Sequence, residues 1–173
     1  MTWAHPWSHD SRVADTQSNS SVARARAAAG VLFFDEQGRI LLVEPTNRDD
    51  KFLGIPGGYV SPGESPHETA VRQVKKELGT DLPVGRLLVV DWAPAGDDEK
   101  IVFVFEGAVL GAETQARIRL NPDSASGFSF YEPERASDPE MLMTRLIRRI
   151  EAAVPARAAQ RIAYLEHGEP LAG

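Results

Sequence analysis

The 173-residue sequence contains no cysteine. Disulfide bonds and thiolate metal sites are therefore excluded, and the composition fits a reducing cytoplasm. No apolar run reaches the length that a membrane-spanning helix needs, and the N-terminal residues contain no hydrophobic signal-peptide core. These absences lead us to expect a cytoplasmic protein that has no membrane partner.

Positive charge is also in short supply. Lys and Arg number 19 against 25 Asp and Glu, which gives a formal net charge of −6 and an isoelectric point near 5.2. Proteins that coat nucleic acid normally carry the opposite charge, so we expect a small-molecule partner and no nucleic acid. A local basic site for phosphates remains compatible with this overall charge.

The length indicates one domain with room for a sizeable core, which we place at residues 23–173. Residues 1–22 show no hydrophobic period and are expected to form an N-terminal tail or arm. Within it, two histidines and two tryptophans suggest either a metal or partner site or a loosely ordered extension. If the tryptophans are ordered, they must bury on this domain or on a second subunit, which leaves a homodimer open.

Several segments have the patterns of strands and helices. An apolar run at 27–34, a polar turn and a second run at 39–43 predict a β-hairpin. Further strands are predicted at 87–92, 101–109, 116–120 and 128–131. Helical spacing follows from Met141 to Ile150, and Pro155 is expected to end that helix before a second one at 156–165. Arg145, Arg148 and Arg149 are expected to form its solvated face.

A helix is predicted between Ser65 and Leu78. Ser65 is a good N-cap, and Glu68 three residues later completes a capping box. Gly79 is a typical C-terminal residue. An apolar stripe is expected to face the sheet, formed by Ala70, Val71, Val74 and Leu78. The other face carries four polar side chains that could meet one ligand: Arg72, Gln73, Lys76 and Glu77.

The segment from Gly58 to Thr80 resembles a Nudix box. The family pattern is Gly, five residues, Glu, seven residues, then Arg-Glu-aliphatic-any-Glu-Glu-any-Gly-aliphatic. This chain matches the pattern at Gly58, Glu64, Arg72, Val74, Glu77 and Gly79. It departs at Gln73, at Lys76 and, mildly, at Thr80. The lead-in at 52–58 also resembles the family's, and the likeness extends over about residues 25–153.

Mixed strands with helices on both sides indicate a Nudix-type α/β/α sandwich with a mixed β-sheet. The resemblance implies metal-assisted cleavage of a diphosphate, with Mg²⁺ held by glutamates of the box and by the carbonyl of the preceding glycine. By position, the candidate metal ligands are Glu77, Gly57 and Glu64. The candidate catalytic residues are Glu77, Glu64 and Gln73, although an amide can orient a water and cannot take its proton.

Charge at the box is the main departure from the family. Four family glutamates and one arginine sum to minus three, whereas Glu64, Glu77, Arg72 and Lys76 sum to zero. We therefore expect Mg²⁺ to bind weakly and to arrive with the substrate, or not to be used at all. Lys76 either neutralises a neighbouring acid or contacts phosphate directly. The candidate substrate-binding residues are Lys76, Arg72 and Gly58, and Arg72 is expected to pair with Glu64.

Family members often place a further catalytic acid in a loop after the box. Candidates here are Asp97, Asp98, Glu99 and Asp123, and the sequence does not choose among them. Two functions follow from these observations. One is a Nudix-type hydrolase that cleaves a diphosphate linkage in a nucleoside diphosphate derivative. The other is an inactive or repurposed Nudix-fold domain that binds a nucleotide or phosphorylated metabolite.

Overall fold

The structure, a computed structural model, describes residues 24–46, 49–94 and 99–171. In chain order the elements are β1 (Arg26–Asp35), β2 (Ile40–Pro45), β3 (Gly57–Tyr59), α1 (Pro66–Leu78), β4 (Val84–Trp92), β5 (Lys100–Leu110), α2 (Ala112–Ala116), β6 (Ala125–Tyr131), a 3-10 turn (Arg135–Ser137), α3 (Thr144–Ala158), β7 (Ala163–Glu166) and β8 (Glu169–Pro170). The predicted tail at 1–22 lies outside the described residues, so that boundary stays a prediction.

One mixed sheet connects all the strands in the order β6-β2-β1-β5-β4-β7-β8, and β3 pairs with β1. The β1–β5 and β4–β7 pairs are parallel, and the other pairs are antiparallel. The predicted hairpin is confirmed, because β1 and β2 are antiparallel with Phe34 opposite Ile40. No helix in the described ranges is long and apolar enough to cross a membrane.

Alternation along β1 divides the core into two layers. Val31 and Phe33 pack with α1 on one face of the sheet. Leu32 and Phe34 pack with α3 on the other. Successive strand residues point to opposite faces, so a strand that is apolar throughout must be covered on both sides. The structure therefore confirms the α/β/α sandwich.

Helix α1 forms as the sequence predicts, with one correction to its buried face. Ser65 caps it, both hydrogen bonds of the capping box are present, and Gly79 ends it with a left-handed backbone at φ 65°. Val71 was expected in the apolar stripe and is 39% exposed, so that prediction is wrong. Thr69 is buried in its place, because the stripe that faces the sheet turns toward the side of the helix on which Thr69 lies.

The strand expected at 116–120 does not form. Residues 112–116 make the short helix α2 instead, as suits their Ala, Glu and Gln content. The segment that follows places Ile118 in the core, and the backbone N–H of Arg119 bonds to the carbonyl of Leu78 at the end of α1. Because this N–H caps a helix, it is not available for a strand partner.

The end of the chain also differs from expectation. Helix α3 continues through Pro155 to Ala158, and the second helix expected at 156–165 is absent; residues 163–166 form β7. Pro155 lacks the N–H that would bond to the carbonyl four residues earlier, so the helix continues past it with one backbone bond fewer. Ala153 and Ala156 are both buried, so packing on the sheet carries the helix past the proline.

Candidate functional site

Two adjoining cavities open around the segment that leads into β3. One, of about 500 Å³, is lined by Glu77 and is called the glutamate cavity below. The other, of about 430 Å³, is lined by Arg145 and Arg149 of α3 and is called the arginine cavity. Both share Gly57 and Gly58 as lining residues. The glycines of the box lead-in therefore stand between two halves of one cleft.

Glu77 is the residue of α1 that lines the glutamate cavity. Its Oε1 accepts a hydrogen bond of 3.2 Å from the N–H of Gly57. Gly57 of β3 lies opposite Gly30 of β1, and these two residues form a non-hydrogen-bonded pair of the antiparallel ladder. The N–H and the C=O of Gly57 therefore both point away from β1. Burial raises the pKa of Glu77 to about 7, against the opposing effects of the Gly57 N–H and the Lys76 ammonium. The carboxyl and the carbonyl of Gly57 are thus placed at one site.

The C-terminal end of α1 is held by the loop that follows α2. The carbonyls of Glu77 and Leu78 accept hydrogen bonds from the N–H groups of Asn121 and Arg119, at 3.0 and 2.8 Å. The same loop continues to Ser124, which is buried and lines the glutamate cavity. Sequence reasoning did not identify Ser124, and its position beside Glu77 depends on these backbone contacts.

Glu64 is saturated with hydrogen bonds. Its carboxylate accepts from Arg72 Nε at 2.6 Å and from Arg72 Nη2 at 2.7 Å, and Thr69 donates its hydroxyl at 2.8 Å. These bonds, the Arg72 pair first, lower the pKa of Glu64 to about 2. The predicted ion pair with Arg72 is confirmed. Glu64 does not line either cavity, and the catalytic and metal-binding roles given to Glu64, and the substrate-binding role given to Arg72, stay predictions.

Close packing against backbone requires a glycine at position 57, and a side chain approaches Gly58 closely. A Cβ on Gly57 would lie 2.4 Å from the carbonyl oxygen of Ala29, and one on Gly58 would lie 2.4 Å from Nε2 of Gln73. Gln73 therefore rests directly against the glycine turn that separates the cavities. A carboxylate at position 73 would stand at the same place, which is why the substitution there matters for the site.

Lys76 is exposed and is not among the residues lining either cavity. It acts on the site through its charge, which opposes the rise in the pKa of Glu77. Of the four acids proposed for the later loop, Asp97 and Asp98 lie outside the described residues. Glu99 and Asp123 are described, and neither lines the cleft. The role of Lys76 as a phosphate ligand stays a prediction.

The donor set for a metal ion is small. In the described part of the chain, no group of three or more His, Asp or Glu side chains is close enough together to hold an ion. The carboxyl of Glu77 and the carbonyl of Gly57 are two oxygen donors, whereas Mg²⁺ prefers six. These residues do not fit an ion held by protein ligands alone.

The arginine cavity corrects the expectation that the α3 arginines are a solvated face. Arg149 Nε bonds to Oδ2 of the fully buried Asp91 at 2.6 Å, and its side chain is 14% exposed. Arg145 lines the same cavity, as does Lys100 at the start of β5. Of Arg145, Arg148 and Arg149, Arg148 is the one that does not line this cavity, and it pairs with Glu169. The i, i+4 spacing of Arg145 and Arg149 was the available signal that they share a helix face.

A family model for the NUDIX domain matches residues 24–152. The chain belongs to the Nudix family. The match begins just before β1 and ends within α3, so it includes the glycine turn, the box helix and the arginines that line the second cavity. It confirms the resemblance to the family.

Relatives and solved structures agree with this assignment. An ADP-ribose pyrophosphatase of Methanocaldococcus jannaschii is 32% identical to this Nudix chain over 133 residues, 72% of this chain and 73% of the relative. A Bacillus subtilis protein named provisionally as an 8-oxo-dGTP diphosphatase is 34% identical over 107 residues, 62% of this chain and 66% of its own length. The crystal structure of a MutT protein from Methanosarcina mazei superposes with a TM-score of 0.65 at 21% identity, over 77% of this chain and 95% of that one, which shows the fold.

Proposed function

We propose that this Nudix chain hydrolyses a diphosphate linkage in a nucleoside diphosphate derivative. The observation that carries the proposal is the contact of Glu77 with the N–H of Gly57, in a cavity beside the carbonyl that the family uses. The relatives' names point to the same substrate class, since ADP-ribose and 8-oxo-dGTP are both diphosphate-containing nucleotides.

The residues around the cleft have different roles in the proposed reaction. Glu77 supplies the carboxylate at the reacting centre, where it can accept a proton or face a cation. The Glu64–Arg72 pair holds the loop before α1 against the helix, which keeps the glycine turn in place. Gln73 supplies an amide beside Gly58 that can orient a water. Ser124 adds a polar group to the same cavity.

The small donor set has a direct consequence for Mg²⁺ binding. Because Glu77 and the Gly57 carbonyl are too few to hold the ion alone, we expect Mg²⁺ without substrate to bind with millimolar or weaker affinity, and any bound ion to be shared with substrate phosphates. Titration calorimetry of the metal-free protein with MgCl₂ measures this. Micromolar affinity in the absence of nucleotide would contradict it.

The hydrolase proposal is tested with a substrate panel. Nucleoside di- and triphosphates, ADP-ribose, dinucleoside polyphosphates and sugar nucleotides are assayed for bond cleavage with Mg²⁺ or Mn²⁺. Glu77→Gln should lower any turnover at least about a hundredfold, because it removes the carboxylate and keeps its shape. Glu113→Gln, at an exposed position of α2, is the matched control and should leave turnover unchanged. Activity that survives Glu77→Gln would contradict the proposed site.

A second function is favoured by one observation. No three-carboxylate cluster exists in the described residues, and Gln73 occupies the place of a box glutamate against Gly58. A domain that binds a nucleotide without cleaving it would have this composition. Thermal stabilisation by panel members, in the absence of any cleavage under both metals, would support binding over hydrolysis.

A further inference from the structure

The described residues that line the arginine cavity carry a charge opposite to that of the whole protein. The chain carries a formal net charge of −6, yet no acidic residue is among the described residues that line this cavity. Three cationic side chains line it, from Lys100, Arg145 and Arg149, and most of the remaining lining is apolar or glycine. Charges of one sign gathered in a concave, largely apolar wall select for a ligand of the opposite sign.

The cations are held in place by contacts that leave donors available. Asp91, which is fully buried, fixes Arg149 through Nε at 2.6 Å. Arg145 reaches the carbonyls of Ala93 and Pro94 only through long contacts of 3.4 Å. Lys100 lies 5.0 Å above the ring of Tyr59. Within the described part of the chain neither Arg145 nor Lys100 forms an ion pair with a carboxylate, and a guanidinium has five N–H donors.

The charge count identifies the class of anion. Among the described residues, Lys100, Arg145 and Arg149 contribute three positive charges, and Asp91 removes one, which leaves a net charge of plus two. Lys100 also lines the glutamate cavity, so its charge lies where the two cavities meet. A phosphate monoester carries close to two negative charges at neutral pH and accepts hydrogen bonds from several donors in a forked arrangement. A single carboxylate would leave one cation without a partner.

We propose that the arginine cavity is a binding site for a phosphate monoester, carried by the part of the substrate that lies beyond the scissile diphosphate. The cavity shares Gly57 and Gly58 with the glutamate cavity, so one extended ligand can occupy both. This assignment rests on the proposed function in one respect, that the diphosphate lies at the glycine turn. The substrate is then a nucleotide with a third phosphate separate from the diphosphate.

The test uses pairs of ligands that differ by one phosphate monoester. ADP-ribose is compared with ADP-ribose 2′-phosphate, and dephospho-coenzyme A with coenzyme A. Binding of each is measured by titration calorimetry in EDTA, and cleavage is measured separately with Mg²⁺. The variants are Arg145→Ala and Arg145→Lys, with Arg148→Ala as the control because Arg148 is on the same helix and pairs with Glu169 outside the cavity.

For at least one pair, the unmodified protein should bind the phosphorylated member at least about tenfold more tightly. Arg145→Ala should remove that preference while changing the affinity for the unphosphorylated member less than about threefold, and Arg145→Lys should retain part of it. Arg148→Ala should keep it in full. Unchanged thermal unfolding of the variants excludes misfolding as the cause.

The outcomes separate this inference from the proposed hydrolase function. Preference for the phosphorylated ligands without cleavage would support the phosphate site and count against the hydrolase. Cleavage without such preference would leave the hydrolase and overturn the phosphate site. Equal affinity within both pairs, no measurable binding of any of the four ligands, or a preference that survives Arg145→Ala would each overturn the inference.

Discussion

Glu77 is a weaker acid than usual because its carboxyl is buried and the N–H of Gly57 offsets only part of the effect of burial. Its pKa rises to about 7 in the folded protein, from an ordinary value of 4.5. Between these values the folded state holds a proton that the unfolded state has released. The stabilisation from this proton is complete below pH 4.5 and is lost as the pH rises through 7.

We therefore expect the free energy of unfolding of the unmodified protein to fall relative to that of Glu77→Gln by about 2 to 3 kcal/mol between pH 4.5 and pH 8. The amide stays neutral and can still accept the Gly57 N–H, so it does not follow this change. Urea unfolding of both proteins at the two pH values measures the difference. Parallel pH dependence of the two proteins would show that Glu77 is not desolvated.

Gln73 and Lys76 are the two positions at which this chain lacks the acids of the box pattern. Replacing both by glutamate moves the site from zero to minus three and places a carboxylate against Gly58. We expect the double variant Gln73→Glu, Lys76→Glu to raise metal-dependent cleavage by on the order of a hundredfold, since a group able to accept a proton from water is restored. Steady-state rates across the substrate panel measure it.

The single variants distinguish decay from adaptation at these positions. If the box has simply eroded, each single change raises activity by less than the double change does. If Lys76 contacts phosphate, Lys76→Glu lowers ligand affinity and any activity of the unmodified protein. No change in either quantity would mean that this helix face is not the active site.

At the scale of elements, the end of α1 fixes where Glu77 lies. Gly79 ends the helix at φ 65°, and a Cβ there would lie 2.0 Å from the carbonyl oxygen of Arg119. The backbone at Gly79 therefore packs directly against the backbone of the loop at 119–121. Glycine is required there for both its conformation and the space.

We expect Gly79→Ala to lower the free energy of unfolding by more than about 2 kcal/mol, because a left-handed alanine costs about 1 kcal/mol and the clash with Arg119 adds to it. Gly38→Ala is the matched control, since Gly38 has a φ of 82° and open space around it. Gly38→Ala should lower the free energy of unfolding only by the cost of a left-handed alanine, about 1 kcal/mol. Urea unfolding compares the two, and equal losses would show that the loop yields to the added methyl.

At the scale of the whole molecule, one buried ion pair connects three parts of the chain. Asp91 on β4 accepts from Arg149 on α3 at 2.6 Å and from the N–H of Gly168, in the β7–β8 turn, at 2.9 Å. The same contact orients Arg149 into the arginine cavity. One carboxylate, that of Asp91, thus contacts both the C-terminal hairpin and an arginine that lines the arginine cavity.

Arg149→Met should cost about 3 to 5 kcal/mol of unfolding free energy, because it leaves the charge of Asp91 buried without its cation. Adding Asp91→Asn should recover most of that loss. Arg135→Met, which breaks an exposed pair with Asp138, is the control and should cost less than about 1 kcal/mol. Chemical unfolding of the three variants is the measurement. A full loss that persists in the double variant would indicate lost packing of Arg149, with no effect of charge.

The sequence determined the features whose causes are local. Ser65, Glu68 and Gly79 specify both ends of α1 through residues only a few positions apart, and the structure has those ends. The hairpin follows from two apolar runs around a short turn, and the family follows from the spacing of the box. Arg72 reaches Glu64 for the same reason, since loop and helix adjoin in the chain.

Tertiary structure decided the features that depend on partners far away in the chain. Residues 163–166 form a strand because β4, more than 70 positions earlier, offers them backbone partners. Arg149 is mostly buried because it forms an ion pair with the buried Asp91. The pKa of Glu77 is raised because its carboxyl is buried. Local patterns contain neither the pairing partner of a strand nor the burial of a charged side chain.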